Sequence, residues 1–313
     1  MGFLGAEIDG PVVVARAVHF AATALLAGAL VFRAVVADPA LRGAGESGAV
    51  VDARIRRLAW MSLAVSLISG GVWLLLLAAS MSGQTWGEAI VSGTLLAVLG
   101  ETQFGQVSEI RLALVVLLAL CLSCDRYRTG RWLALGAAVC LVSSIAWTGH
   151  AGSTPYRLGY LHLAADALHL AAAAAWTGGL ASLLLSLHAL PHSGAEERRL
   201  DAIRRFSALG MLSVATLIVT GVVNACILVG SFRALFVTEY GWVLTAKLAL
   251  FVVMVAFAAV NRFWLTPQLA LRPNGVAVRW LERNTTAEIV LALIVFAVVG
   301  VLGTLHPAAH LIK

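Results

Sequence analysis

The chain has 313 residues, of which 60% are hydrophobic and 12% are charged, with a formal net charge of +6. Soluble domains carry about 25% charged residues, so this composition excludes an ordinary soluble domain and predicts an integral membrane protein. The positive charge does not indicate nucleic-acid binding, because the arginines lie in short loops between apolar segments. Four cysteines within or beside apolar runs do not fit a secreted disulfide framework.

Eight apolar segments are long enough to cross a bilayer core, which takes about 20 helical residues. We therefore predict an all-α integral membrane protein whose spans cover 12–36, 58–80, 106–124, 131–148, 159–190, 205–230, 241–265 and 285–305. Residues 87–100 are too short to span and predict a helix lying on the membrane surface. Residues 1–10 lack a basic segment and a cleavage site, so we expect them to lead into a retained first span.

The arginines predict how the chain is oriented. Most of the 22 basic residues lie in the connections after the first, third, fifth and seventh spans. Basic loops remain in the cytoplasm, which places both termini on the outer, periplasmic side.

Two pairs of similar segments indicate an internal repeat. TQFGQVSEIRLALVV at 102–116 resembles TEYGWVLTAKLALFV at 238–252, and HFAATALLAGAL at 19–30 resembles HLAAAAAWTGGL at 169–180. These matches predict two tandem four-helix units, residues 1–150 and 151–313, with the surface helix in the first unit. Because four is an even number, both units have the same orientation.

A polar stripe interrupts the apolar fifth span. His162, Asp166 and His169 are spaced to share one helical face, but the two histidines are about 10 Å apart along the axis. They can therefore form only half of a site for one small ion. The repeat adds a histidine in the first helix of each unit and one at the end of each fourth helix. The predicted outer-face metal ligands are His19, His150, His162, Asp166, His169 and His306.

Several chemistries suit this set of residues. Imidazole and carboxylate groups bind divalent transition metals such as Cu(II) and zinc. The same groups can form structural hydrogen bonds at a helix end, or act as a protonation switch near neutral pH. Cys121 and Cys124 form a CxxC pair at the inner end of the third span, where they could receive a soft cation or simply pack. Residues 176–179, WTGG, predict a close helix–helix contact.

Several motifs together resemble the bacterial copper resistance D (CopD) family. They are RAVHF (16–20), TGHA (148–151), HLAADALHLAAAAAWTGGL (162–180), TGVVNA (220–225), LFVTEYGWVLTAKLAL (235–250) and AVNR (259–262). The resemblance implies an inner-membrane protein of copper uptake, with a small periplasmic CopC-like copper-binding partner. It points to His19, His150, His162 and His169 as ligands. His306 falls where the family is not expected to require histidine, and Asp166 lies at a position where another polar residue would be acceptable. No reaction transfers from the family, so we do not expect an enzyme.

The sequence therefore predicts copper import across the bacterial inner membrane, with capture by a periplasmic-side histidine cluster. The alternative is a b-type haem electron carrier or cupric reductase, in which facing histidines such as His19 with His150, or His169 with His306, would be axial ligands. A copper sensor or a scaffold for periplasmic partners is a third hypothesis. The residue pattern leaves open the oxidation state of copper and the driving force.

Overall fold

The computed structural model describes residues 9–190, 194–271 and 275–310, and within these ranges it is helical without strands. The predicted all-helical class is confirmed. Eight long helices in chain order form the molecule: α1 Gly10–Phe32, α2 Gly45–Ser82, α3 Gln103–Ser123, α4 Arg128–Ser143, α5 Tyr156–Ala189, α6 Glu196–Val229, α7 Glu239–Val260 and α8 Gly275–Leu302.

Each predicted span corresponds to one of these helices, and in the described residues all eight have the length and apolarity of a membrane-crossing helix. Two of the spans extend beyond regular α-helix into a π-helical turn. After α1 the chain continues through a π-helical turn, Arg33–Ala37, and after α7 through another, Asn261–Leu265. The expected lead-in at residues 1–8 lies outside the described residues.

The predicted surface helix at 87–100 is divided into two short helices, Trp86–Val91 and Thr94–Glu101. The break falls at Gly93, whose φ of 79° lies in the left-handed region that favours glycine. The first short helix begins with a capping box in which Thr85 and Glu88 bond to each other's backbone. These hydrogen bonds lower the pKa of the exposed Glu88 carboxyl.

The first helix of each half packs against the other through glycine. A Cβ atom on Gly28 of α1 would overlap the carbonyl oxygen of Ala174 and the Cα of Gly178 in α5. The two backbones are therefore in direct contact, and the neighbouring Trp176 is 2% exposed. The close contact predicted from WTGG is confirmed.

Two apolar cores lie on either side of this contact. One contains Leu26, Trp73, Leu118 and Leu141 from α1 to α4. The other contains residues of α5 to α8, such as Trp176, Leu217, Met254 and Leu281, together with the end of α1. The second core also includes Val51 and Ile55 of α2, and the first includes Ala174 of α5. The division into two repeated units stays a prediction.

A buried ion-pair network joins the arginine-rich ends of the first three helices. The Arg33 guanidinium is 4% exposed and donates to Asp52 at 2.8 Å and to Asp125 at 2.7 Å. Arg131 donates to the backbone carbonyl of Asp125 at 2.9 Å. Every charge in this buried network therefore has an opposite partner, as burial in a low-dielectric region requires.

Candidate metal centre

The predicted ligands lie on four parts of the chain. His19 is on α1, whereas His162, Asp166 and His169 are on α5. His150 begins a 3₁₀ turn between α4 and α5, and His306 is exposed after α8. Across 9–190, 194–271 and 275–310, no three His, Cys, Asp or Glu side chains lie together as a ready-made metal site. The six-residue site therefore stays a prediction.

His19 has a fixed ring orientation. Its Nδ1 lies 3.0 Å from the backbone carbonyl oxygen of Ser66 and 3.3 Å from the Ser69 hydroxyl. A carbonyl oxygen only accepts, so Nδ1 carries the hydrogen, and in neutral imidazole Nε2 presents a lone pair. That Nε2 is buried and forms no hydrogen bond within the described structure.

His162 has the same arrangement through a hydroxyl group. Its Nδ1 lies 2.8 Å from the Thr154 hydroxyl, and that hydroxyl donates its hydrogen to the His150 backbone carbonyl at 3.1 Å. Thr154 therefore accepts from Nδ1, and the lone pair of neutral His162 lies on Nε2. The His150 ring packs edge-on against Tyr240 at 6.0 Å, with its Nε2 3.4 Å from the Leu302 carbonyl oxygen.

His169 repeats the pattern a second time. Its Nδ1 lies 2.9 Å from the Thr220 hydroxyl, which donates its own hydrogen to the Thr216 carbonyl at 2.6 Å. Nδ1 is therefore the donor in the neutral ring, and Nε2 carries the lone pair. In metal sites a histidine ligand typically donates its second ring N–H to such an outer partner, which fixes the tautomer and the ring direction.

Asp166 is held on the same face of α5. Its Oδ1 accepts a hydrogen bond from Asn224 of α6 at 3.1 Å, and the Oδ1 of Asn224 is buried without a hydrogen-bond partner in the described structure. The Lys247 ammonium on α7 is close enough for its charge to act on both Asp166 and His169. The α5 face therefore combines imidazole, carboxylate and amide groups with one nearby cation.

The surroundings of His19 are different. The Trp73 ring lies 5.7 Å from the His19 ring, and the guanidinium groups of Arg16 and Arg111 lie 5.1 and 5.6 Å from the Trp73 ring. Arg111 also donates to the hydroxyls of Ser144 and Thr148. Two guanidinium groups therefore lie around Trp73, the aromatic neighbour of His19.

Sequence reasoning missed the residues that orient these rings. Ser69 precedes Gly70, and Thr220 precedes Gly221; each glycine lies beside the histidine ring that its neighbouring hydroxyl contacts. The dipeptides Ser-Gly in α2 and Thr-Gly in α6, at matching places, were the sequence signal that could have identified these residues. The CxxC pair lies elsewhere, with Cys121 buried in α3 and Cys124 exposed at its end.

Comparison with known proteins identifies the family. Residues 7–163 match the family described as Copper resistance protein D-like, N-terminal domain, and residues 200–302 match Copper resistance protein D. This chain belongs to the copper resistance protein D family. The expected family resemblance is thereby confirmed, and with it a copper-related function in a membrane.

Three relatives illustrate the range of the family. Copper resistance protein D of Pseudomonas syringae pv. tomato is 31% identical over 85% of this chain and 88% of its own length. Inner membrane protein YebZ of Escherichia coli K12 is 28% identical over 93% of this chain and 97% of its own. Copper transport protein CutJ of Bacillus subtilis 168 is 33% identical over 59% of this chain and 35% of its own.

The relatives and the helices agree on location. The eight apolar helices and the family assignment make the chain a multi-pass inner-membrane protein of copper homeostasis, in contact with the lipid bilayer. No solved structure matches the chain significantly.

Proposed function

We propose that the protein carries copper across the inner membrane into the cytoplasm, and that it acts as a transporter and not as an enzyme. Copper is captured on the side where α5 begins, which we assign to the periplasm together with both chain termini. A small periplasmic CopC-like protein delivers the ion to this face. The proposal takes the two halves as tandem units of like orientation, with the ion passing between them.

One observation carries this proposal. His19, His162 and His169 each point Nδ1 at an oxygen acceptor, which leaves the Nε2 lone pair for a ligand. A structural histidine needs only one of its ring nitrogens in a hydrogen bond. Three histidines with the same tautomer in one chain of a copper resistance family support a shared role in metal binding. Imidazole nitrogen is also a common ligand of copper.

The α5 histidines provide the sharpest test. Copper uptake into cells or proteoliposomes would be measured for His162→Ala plus His169→Ala, with His188→Ala as the matched control. His188 lies at the other end of the same helix, and its side chain is 52% exposed. We expect the double variant to lose uptake and the control to retain it. Uptake by the double variant at the wild-type level would overturn the proposal.

A further inference from the structure

A buried carboxyl group on α8 is separate from the histidine face. Glu288 is 1% exposed, and its Oε1 accepts from the Asn261 amide at 2.7 Å. The Oδ1 of Asn261 in turn accepts from Asn284 at 2.9 Å, so two amides fix the direction of the carboxyl group. The second oxygen, Oε2, is buried and has no hydrogen-bond partner in the described structure.

Glu288 differs from the buried acid of the first half. Asp125 is paired with Arg33 at 2.7 Å. Among the described residues, no arginine, lysine or histidine nitrogen lies within the 4.0 Å ion-pair distance of Glu288. A buried carboxylate without a counter-ion costs far more free energy than a neutral acid. The geometry therefore favours a proton on Oε2, where it leaves no buried negative charge.

Glu288 lines a cavity that extends toward one end of the molecule. This cavity of about 390 Å³ lies between α5, α6, α7 and α8, and the hydroxyl oxygen of Thr285 on the same wall is buried without a described partner. Along α6 the lining extends from Ile203 to Ile218, which is about 22 Å of helix. Ile203 lies beside the arginines that begin α6, so the cavity connects mid-helix Glu288 with the arginine-rich end.

Polar groups continue along this cavity. Arg262, in the π-helical turn after α7, donates to the Ser207 hydroxyl of α6 at 2.6 Å, and both residues line the cavity. Arg262 and Glu288 are the charged side chains in the described lining; α5 and α6 contribute none. π-helical turns are frequent at functional sites.

We propose that Glu288 is a proton-binding site that exchanges its proton, through this cavity, with the aqueous phase at the arginine-rich end of the helices. Acidic residues inside membrane spans commonly act as proton relays, because they face a pathway and can be neutralised by a proton. The exchange is a simple acid dissociation: the neutral carboxyl group becomes a carboxylate, and the proton leaves along the cavity.

Proton exchange at Glu288 serves copper transport, an inference that rests on the proposed function. A copper ion passing between the two halves brings positive charge into a low-dielectric region. Dissociation of Glu288 supplies a carboxylate that offsets this charge, and reprotonation restores the neutral acid after the ion has left. One proton is therefore released at the arginine-rich end as each copper ion passes and is taken up again from the same side afterwards, so the cycle carries no net proton across the membrane.

Infrared spectroscopy of the purified full-length protein tests proton binding without copper. We expect a carbonyl band of a protonated carboxylic acid at neutral pH, shifted by D₂O, in the wild type and in Glu282→Gln. Glu282 is the matched control on the same helix, paired with His188 at 3.7 Å. The band should vanish in Glu288→Gln and move in Glu288→Asp. A band unaffected by Glu288→Gln, or insensitive to D₂O, would overturn the proposal.

Proteoliposomes with an internal pH indicator test the coupling. Copper addition should produce a transient change of internal pH in vesicles whose arginine-rich helix ends face inward, for the wild type and for Glu282→Gln but not for Glu288→Gln. Copper flux with an unchanged pH signal in Glu288→Gln would overturn the coupling. If no protein form moves copper, the transport function fails, while the infrared band still decides whether Glu288 binds a proton.

Discussion

The histidine sites of the two halves have the same geometry and different charges. His19 and His169 both direct Nδ1 at oxygen atoms of the next long helix and lie beside a glycine of that helix. Three residues before each histidine, however, the first half has Arg16 and the second has Asp166. Because the geometry is repeated and the charged residue is not, we infer that the two sites have different tasks.

The facing helices carry the same difference. In the first half, Trp73 of α2 lies under the Arg16 guanidinium at 5.1 Å. At the matching place in α6, Asn224 donates to Asp166 at 3.1 Å. The two guanidinium groups beside Trp73 repel a cation near His19, whereas near His169 the Asp166 carboxylate attracts a cation and offsets the Lys247 ammonium. The second half is therefore the better site for copper, and the predictions below test this difference in copper affinity.

The largest expected difference follows from removing each histidine. Outer partners of a metal ligand are worth about 10- to 100-fold in affinity, so loss of the ligand itself in His169→Ala should exceed about 100-fold. His19→Ala should weaken copper binding much less. Copper titration of both variants measures this directly, and equal losses would mean that the charge difference does not divide the two sites.

The second prediction concerns the groups that orient the rings. Thr220→Val removes the oxygen acceptor of His169 Nδ1 and should reduce copper affinity by about 10- to 100-fold. Ser69→Ala should have little effect, because the Ser66 carbonyl still accepts from His19. The measurement is the same titration, and an unaffected Thr220→Val variant would show that this hydrogen bond does not prepare a ligand.

The smallest expected effect comes from charge alone. Asp166→Asn keeps the side-chain shape and removes a negative charge near His169, which should cost about 1 to 2 kcal/mol, or roughly 5- to 30-fold in copper affinity. Arg16→Gln should not weaken binding, since it removes a positive charge near His19. A stronger loss in Arg16→Gln than in Asp166→Asn would reverse the proposed preference.

The sequence was sufficient to predict the helices and insufficient to predict the contacts within the site. Apolar runs of about 20 residues form helices in a bilayer, so all eight helices could be predicted. WTGG predicted a close helix contact, but its partner Gly28 was seen only in the structure. Gly93 has a positive φ, which an apolar pattern does not reveal, so residues 87–100 were expected to form one helix.

The site depends on contacts between distant parts of the chain. The repeat predicted that His19 and His169 correspond, but the pairing of each ring with Ser66 or Thr220 depends on helix packing. Glu288 was passed over for a similar reason. Its place in α8 gives no sign that its partner is an amide of α7 and not a guanidinium. Whether a buried charge is balanced depends on its neighbours in space, which the sequence alone does not give.

Copper coordination in the purified protein tests the central claim most directly. X-ray absorption of the copper-loaded full-length chain, with optical spectra to measure haem, would identify the ligand atoms and any resident cofactor. We predict imidazole nitrogen coordination in the wild type that is lost in His162→Ala plus His169→Ala, and no haem spectrum. Coordination unchanged in that variant, sulfur-only coordination, or haem at one equivalent would contradict the account.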